Sequence, residues 1–154
     1  MKTRAGAVLA LAALPLAPAP ARAQGVGGRW ERETQEYLRR TTTALSEQGF
    51  EPMGEPKVGL LLVDQSEWFA ITMHAGTSYT LVAVCDNECS GLDLVLYGTG
   101  RNEIEATRAR PVPMIKVTPR ETRPYRVKVT LTSCLLSPCW YGIGAYRSII
   151  PPPP

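Results

Sequence analysis

One histidine, His74, occurs in 154 residues, with two phenylalanines and no Gly-x-Ser-x-Gly, His-Glu-x-x-His or phosphate-loop pattern. These absences remove the usual sequence signs of acyl transfer, zinc hydrolysis and nucleotide chemistry. His74 stands just before a turn, where a surface residue fits better than a general base. The acids offer carboxylate pairs, but no spacing orders them. A hydrolase of unknown substrate is therefore the weaker alternative among the functional readings, and a non-catalytic protein is the reading by elimination. No Cys-x-x-Cys is present either, which disfavours a redox dithiol.

Long apolar runs are also missing. The one candidate, Ala5 to Leu16, is shorter than the span of about 20 residues that a membrane helix needs, and prolines at 15, 18 and 20 interrupt it. With Lys2 and Arg4 before it and Ala21-Arg22-Ala23 after it, residues 1–23 read as an export signal cleaved before Gln24. The expectation is an exported protein, periplasmic or secreted, with no membrane span. Lys2, Arg4 and Arg22 leave with the signal, so 17 basic residues against 14 acidic become 14 against 14. Nucleic-acid binding normally leaves a basic footprint, and none remains.

The even total hides an asymmetry. Between Arg29 and Asp93 there are 11 acids and 5 bases, whereas between Arg101 and Lys128 there are 3 acids and 8 bases. The halves either attract each other within the fold or leave a basic patch for an anionic partner.

About 131 mature residues suit one domain with a normal core. Residues 24–56 read as an N-terminal helix and linker, in which Trp30, Tyr37, Leu38, Thr41 and Leu45 form one helical stripe. Gly49 offers a stop, and Pro52 and Pro56 mark the linker. From residue 57 to 148 the period changes to two. Tyr125, Val127, Val129 and Leu131 alternate with Arg126, Lys128, Thr130 and Thr132, and Leu92, Leu94 and Leu96 alternate with Asp93, Val95 and Tyr97. Tyr79 to Val84 is apolar enough for the middle of a sheet, and weaker strands are expected over 58–63, 67–73, 102–106, 113–117 and 140–146. Short strands at this spacing predict an all-β, antiparallel, jelly-roll-like β-sandwich preceded by one amphipathic α-helix. Residues 149–154 form a proline-rich tail.

Four cysteines, Cys85, Cys89, Cys134 and Cys139, allow three disulfide pairings. Local pairs fit the reach of a disulfide across a turn. On the chain-entropy model each local bridge contributes roughly 2 kcal/mol, against about 4 for a bridge from Cys85 to Cys134. The favoured local pairs would thus shape loops more than they hold the fold. A four-cysteine zinc site is permitted by spacing but opposed by export into an oxidising space.

Gly76-x-x-Tyr79, Cys85-Asp86-x-x-Cys89 and Leu92-Asp93-Leu94-x-Leu96-Tyr97 occur in order, followed by Val117-Thr118-Pro119, Tyr125-Arg126-Val127-x-Val129, Cys134, Pro138-Cys139 and Tyr141-Gly142-Ile143. Over roughly residues 57–147 this resembles the bacterial pre-peptidase C-terminal domain and its stand-alone exported relatives. The resemblance implies a jelly-roll-like sandwich serving as an accessory module, some relatives of which bind calcium or extracellular polymers. The relatives carry further acids where this chain reads Gly98-Thr99-Gly100 and Ala106-Thr107-Arg108. Calcium wants six to eight oxygens, several of them carboxylate. Asp86, Glu88 and Asp93 are the candidate metal ligands that remain, with Glu103 and Glu105 nearby in sequence. No other cofactor is expected.

The leading functional expectation is an exported non-catalytic sandwich that binds a protein or polymer partner through a basic face. Arg126 and Lys128 share one side of a strand, and Arg120 and Arg123 flank it, as do Arg108 and Arg110; arginines of this kind hold carboxylate or phosphate groups. Tyr97, Trp140, Tyr141 and Tyr146 are either core or an aromatic strip for sugars or peptides. A calcium-stabilised accessory module is the alternative.

Overall fold

A computed structural model describes residues 26–150. The export signal over 1–23 and the prolines at 151–154 lie outside the described residues. One helix, α1 (Val26–Glu47), precedes nine strands: β1 (Phe50–Pro52), β2 (Lys57–Leu61), β3 (Ser66–Met73), β4 (Tyr79–Cys85), β5 (Cys89–Tyr97), β6 (Glu103–Arg110), β7 (Met114–Val117), β8 (Arg123–Cys134) and β9 (Cys139–Ser148). No described helix is long and apolar enough to cross a membrane.

The strands form two antiparallel sheets. In the first, β9 lies beside β4 and β4 beside β7, while β1 and β2 pair with successive stretches of β9 as one broken edge. The second runs β3-β8-β5-β6. The pairs β2–β9, β3–β8, β4–β7 and β5–β6 are nested, as if one long hairpin had been rolled up, and that is the jelly-roll connection. The protein is an all-β sandwich preceded by a helix.

Period-two alternation sends Tyr125, Val127, Val129 and Leu131 of β8, and Leu92, Leu94 and Leu96 of β5, inward. They meet Tyr79, Leu81, Ala83, Ile115, Tyr141 and Ile143 from the first sheet. Each buried leucine contributes about 1.5–3 kcal/mol relative to remaining in water. Tyr141 is buried, and its hydroxyl donates to Glu67 Oε2 at the β3 edge. Burial first, and the Glu67 hydrogen bond second, push the phenol above its usual range.

The outer face of the first sheet is covered by α1. Leu38 and Leu45 pack with Val82, Val84 and Tyr146 in a second apolar cluster, so all seven residues of β4 are buried. Close approach is possible because β9 carries Gly142 there: a Cβ at that position would stand 2.4 Å from Leu38 Cδ1. The helix also tolerates three consecutive threonines. Thr41, Thr42 and Thr43 donate their hydroxyls to the carbonyls four residues back, and the Thr42 hydroxyl also meets the Tyr146 hydroxyl at 2.8 Å. On the solvent side Arg39 and Arg40 hold the Glu36 carboxyl down to about 2. Gly49, at φ 81°, turns the chain out of α1 into β1.

Candidate functional site

Among the described residues no helix covers the outer face of the second sheet, and the residues on that face follow from register. Ala70 of β3, Arg126 of β8, Tyr97 of β5 and Glu103 of β6 lie in one row. The adjacent row is Trp68, Lys128, Val95 and Ala106, and the next is Ser66, Thr130 and Asp93. Between the long side chains of these rows lies a shallow cleft of about 630 Å³, lined by Trp68, Tyr97, Arg101, Glu103, Arg126 and Lys128. That volume lies within the range usual for ligand clefts, about 300–1,000 Å³.

The cleft is organised by Trp68. Its indole is 44% exposed and lies across the neighbouring strand, with its ring centroid 5.2 Å from that of Tyr97 at a 44° tilt. The Arg126 Cζ sits 4.2 Å from the indole centroid and the Lys128 Nζ 5.6 Å. Both distances suit cation–π attraction, worth about 0.5–1 kcal/mol at an exposed site. Arg101, from the turn between β5 and β6, supplies a third cation.

These three cations differ from five others among the described residues and gather in one cleft. Arg39, Arg40, Arg108, Arg123 and Arg147 each lie within ion-pair distance of a carboxylate. Among the described residues Arg101, Arg126 and Lys128 have no such partner. The one acid lining the cleft, Glu103, is held by Arg108 at 2.8 Å.

The anion-binding residues expected from sequence divide between two places. Arg126 and Lys128 lie in the cleft. Arg120 and Arg123 line a different cleft at the end of the sandwich, with Thr118, Pro119 and Tyr125. Arg123 has the same strand parity as buried Tyr125, stacks on that ring at 4.9 Å and lies 3.3 Å from Glu121. Arg108 is occupied by Glu103, and Arg110 is exposed at the end of β6. Sequence reasoning missed Trp68 and Arg101.

The aromatic strip does not form. Tyr141 faces the space between the sheets, Tyr146 lies under α1, and Tyr97 belongs to the other sheet. Successive side chains on a strand point to opposite faces, so neighbours such as Trp140 and Tyr141 are parted.

Of the candidate metal ligands Asp86, Glu88 and Asp93, the two aspartates accept hydrogen bonds from backbone amides. Asp86 is buried at 3% exposure; its Oδ1 accepts from the Glu88 amide at 3.1 Å and its Oδ2 from the Trp140 amide at 2.7 Å. Asp93 Oδ1 accepts from the amide of Ala109, a residue with φ 51°. Among the described residues no three acids, cysteines or histidines gather where an ion could be held. His74 is exposed in the β3–β4 turn, with no carboxylate within ion-pair distance among the described residues. Its amide donates to the Tyr79 hydroxyl at 2.8 Å.

The cysteines pair locally. Cys85–Cys89 and Cys134–Cys139 bring Cα atoms to 5.8 and 6.1 Å. Both clamps stand at one end of the sandwich, where Cys89 and Cys134 are cross-strand partners and the Leu135 amide donates to the Glu88 carbonyl at 2.8 Å. Asn87, at the tip of the first clamped loop, is tied to α1 by Glu33 and by the Tyr37 hydroxyl.

No protein-family model and no curated protein matches the chain. Among solved structures, it is similar to PliG of Aeromonas hydrophila, a periplasmic lysozyme inhibitor of g-type lysozyme. The TM-score is 0.45 and the identity 9%, over 61% of this chain and 83% of that one. A likeness of that size says nothing about a shared partner.

Proposed function

We propose that this protein is an exported, non-catalytic binding module that holds an anionic partner on the outer face of its second sheet. The observation that carries the reading is the convergence of Arg101, Arg126 and Lys128, unpaired among the described residues, around the exposed Trp68–Tyr97 pair. Unpaired cations on a rigid sheet meet an anion without first giving up a salt bridge. Charge-assisted hydrogen bonds then contribute about 1.5–3 kcal/mol each. The two disulfides support export, since such bonds persist in oxidising compartments. The jelly-roll connection supports kinship with the pre-peptidase accessory modules.

Retention on immobilised dextran sulfate tests the reading. The protein should be retained at low ionic strength and released as salt rises, because exposed charges are screened over about 10 Å at 0.1 M. Arg126→Ala combined with Lys128→Ala should weaken retention by at least about tenfold, the loss of one charge-assisted contact or more. Equal retention of the double variant, with its fold intact by circular dichroism, would refute the basic face.

A further inference from the structure

We infer that the partner on this face is a carboxylate-bearing polysaccharide, with sugar rings resting on Trp68 and Tyr97 and carboxylates meeting Arg126, Lys128 and Arg101. The inference rests on the face being the binding surface, and it goes further by naming the ligand's chemistry.

Three features of the cleft select that chemistry. The first is the aromatic pair. An indole 44% exposed beside a tilted phenol makes an apolar slab on an otherwise polar sheet. The C–H face of a pyranose is the apolar surface of a hydroxylated ligand, and burying it there gains the usual hydrophobic free energy. A bare inorganic anion would gain nothing from these rings.

The second feature is the setting of Arg126. The Arg126 Cζ lies close to the indole and pairs with no carboxylate among the described residues, so the N–H fork of the guanidinium is free for a planar, two-oxygen acceptor. Carboxylate has that shape. The indole restricts the side chain beforehand, so less rotamer freedom is lost when the ligand arrives.

The third is the charge pattern. Glu103 lines the same cleft, and Asp93 lies two rows along the same face. A ligand with a phosphate at every repeat would bring charge against these carboxylates. A glycan instead offers hydroxyl donors to them, and even with a carboxylate on every sugar its charges stand farther apart than successive phosphates. Ser66 and Thr130, whose hydroxyls meet at 2.8 Å in the Asp93 row, continue the polar track along the sheet. The cleft is shallow and built on strands, a shape suited to a length of polymer lying across it.

Affinity electrophoresis with three dissolved polymers separates the outcomes: polygalacturonate, neutral dextran and polyphosphate. Polygalacturonate should retard the protein, and dextran should not. Trp68→Ala should weaken the effect of polygalacturonate about tenfold, and Trp68→Phe, which keeps a ring for the sugar, should restore most of it. Arg126→Lys, which keeps the charge and loses the fork, should weaken polygalacturonate binding more than dextran sulfate binding. Polyphosphate binding tighter than polygalacturonate and unchanged in Trp68→Ala would overturn the glycan while leaving the basic face standing. Equal retardation by dextran would overturn it in the other direction, and loss of retention on dextran sulfate itself would remove the underlying reading. Trp68 is an exposed residue on an edge strand, so its variants should fold, and their melting temperatures verify that.

Discussion

The two sheets share one architecture and differ in what covers them. In the first, α1 lies over the outward positions, and those positions are apolar or small: Val82, Val84, Gly142 and Tyr146. In the second the corresponding positions are open to solvent, and they carry Ser66, Trp68, Asp93, Arg126, Lys128 and Thr130. Burial on both faces turns a strand into a continuous apolar run, as in β4; burial on one face leaves alternation, as in β8. The open positions are released from packing and free to carry chemistry. The difference between the sheets is therefore the difference between a covered outer face and an open one.

Removing the cover is the most severe way to break this comparison. Leu38→Ala, deep in the contact between α1 and the first sheet, should cost about 2–5 kcal/mol in urea unfolding. A loss below about 1 kcal/mol would make the helix a loose cover and the two outer faces equivalent. By contrast, the Arg126→Ala, Lys128→Ala variant should stay within about 1 kcal/mol per side chain, the limit of its exposed cation–π contacts.

Opening one clamp comes next. Cys85→Ala with Cys89→Ala should cost about 2 kcal/mol, the loop-closure value for so short a ring. Because the Asp86 carboxylate accepts from the Trp140 amide and the Asp86 amide donates to the Trp140 carbonyl, the same loop stays tied to β9, and the cleft on the second sheet should bind as before. A change in polyanion retention would show that the clamped end and the open face communicate.

The smallest effect concerns the hydrogen bond from Tyr141 of the first sheet to Glu67 of the second. Folding raises the Tyr141 phenol above its unfolded value of about 10. Stability from this group is complete below about pH 10 and falls as the pH rises further, since the unfolded chain loses its proton first. Tyr141→Phe should show a shallower decline than the parent protein between about pH 9 and about pH 11 in thermal melts. Equal slopes would place the alkaline loss elsewhere.

Much of the fold was legible in the chain because it was written as periodicity. The 3.6-residue stripe of Leu38 and Leu45, the alternation of β8 and the unbroken apolar β4 each state how many faces are covered. The split of the first edge into β1 and β2 was not legible: Pro52 and Pro56 announce irregular chain, and nothing local says that both pieces pair with β9. Half of the site was legible too. Arg126 and Lys128 share a face by parity alone, and the same parity would have sent Arg123 inward with Tyr125. Trp68 was not, because its meeting with Arg126 depends on the register of β3 against β8, a pairing across more than fifty residues. The Trp140 amide that donates to Asp86 was hidden for a related reason: its strand, beginning at Cys139, lies more than fifty residues away.

The placement of α1 has one more consequence. A sandwich normally has two broad outer faces, and a module with two such faces can bridge neighbouring chains of a polymer into a network. Here one is occupied by the protein's own helix. On the proposed binding mode each molecule would be monovalent through its sheet faces: it would decorate a polymer strand without cross-linking it, and its attachment would draw on the strength of a single contact rather than on avidity.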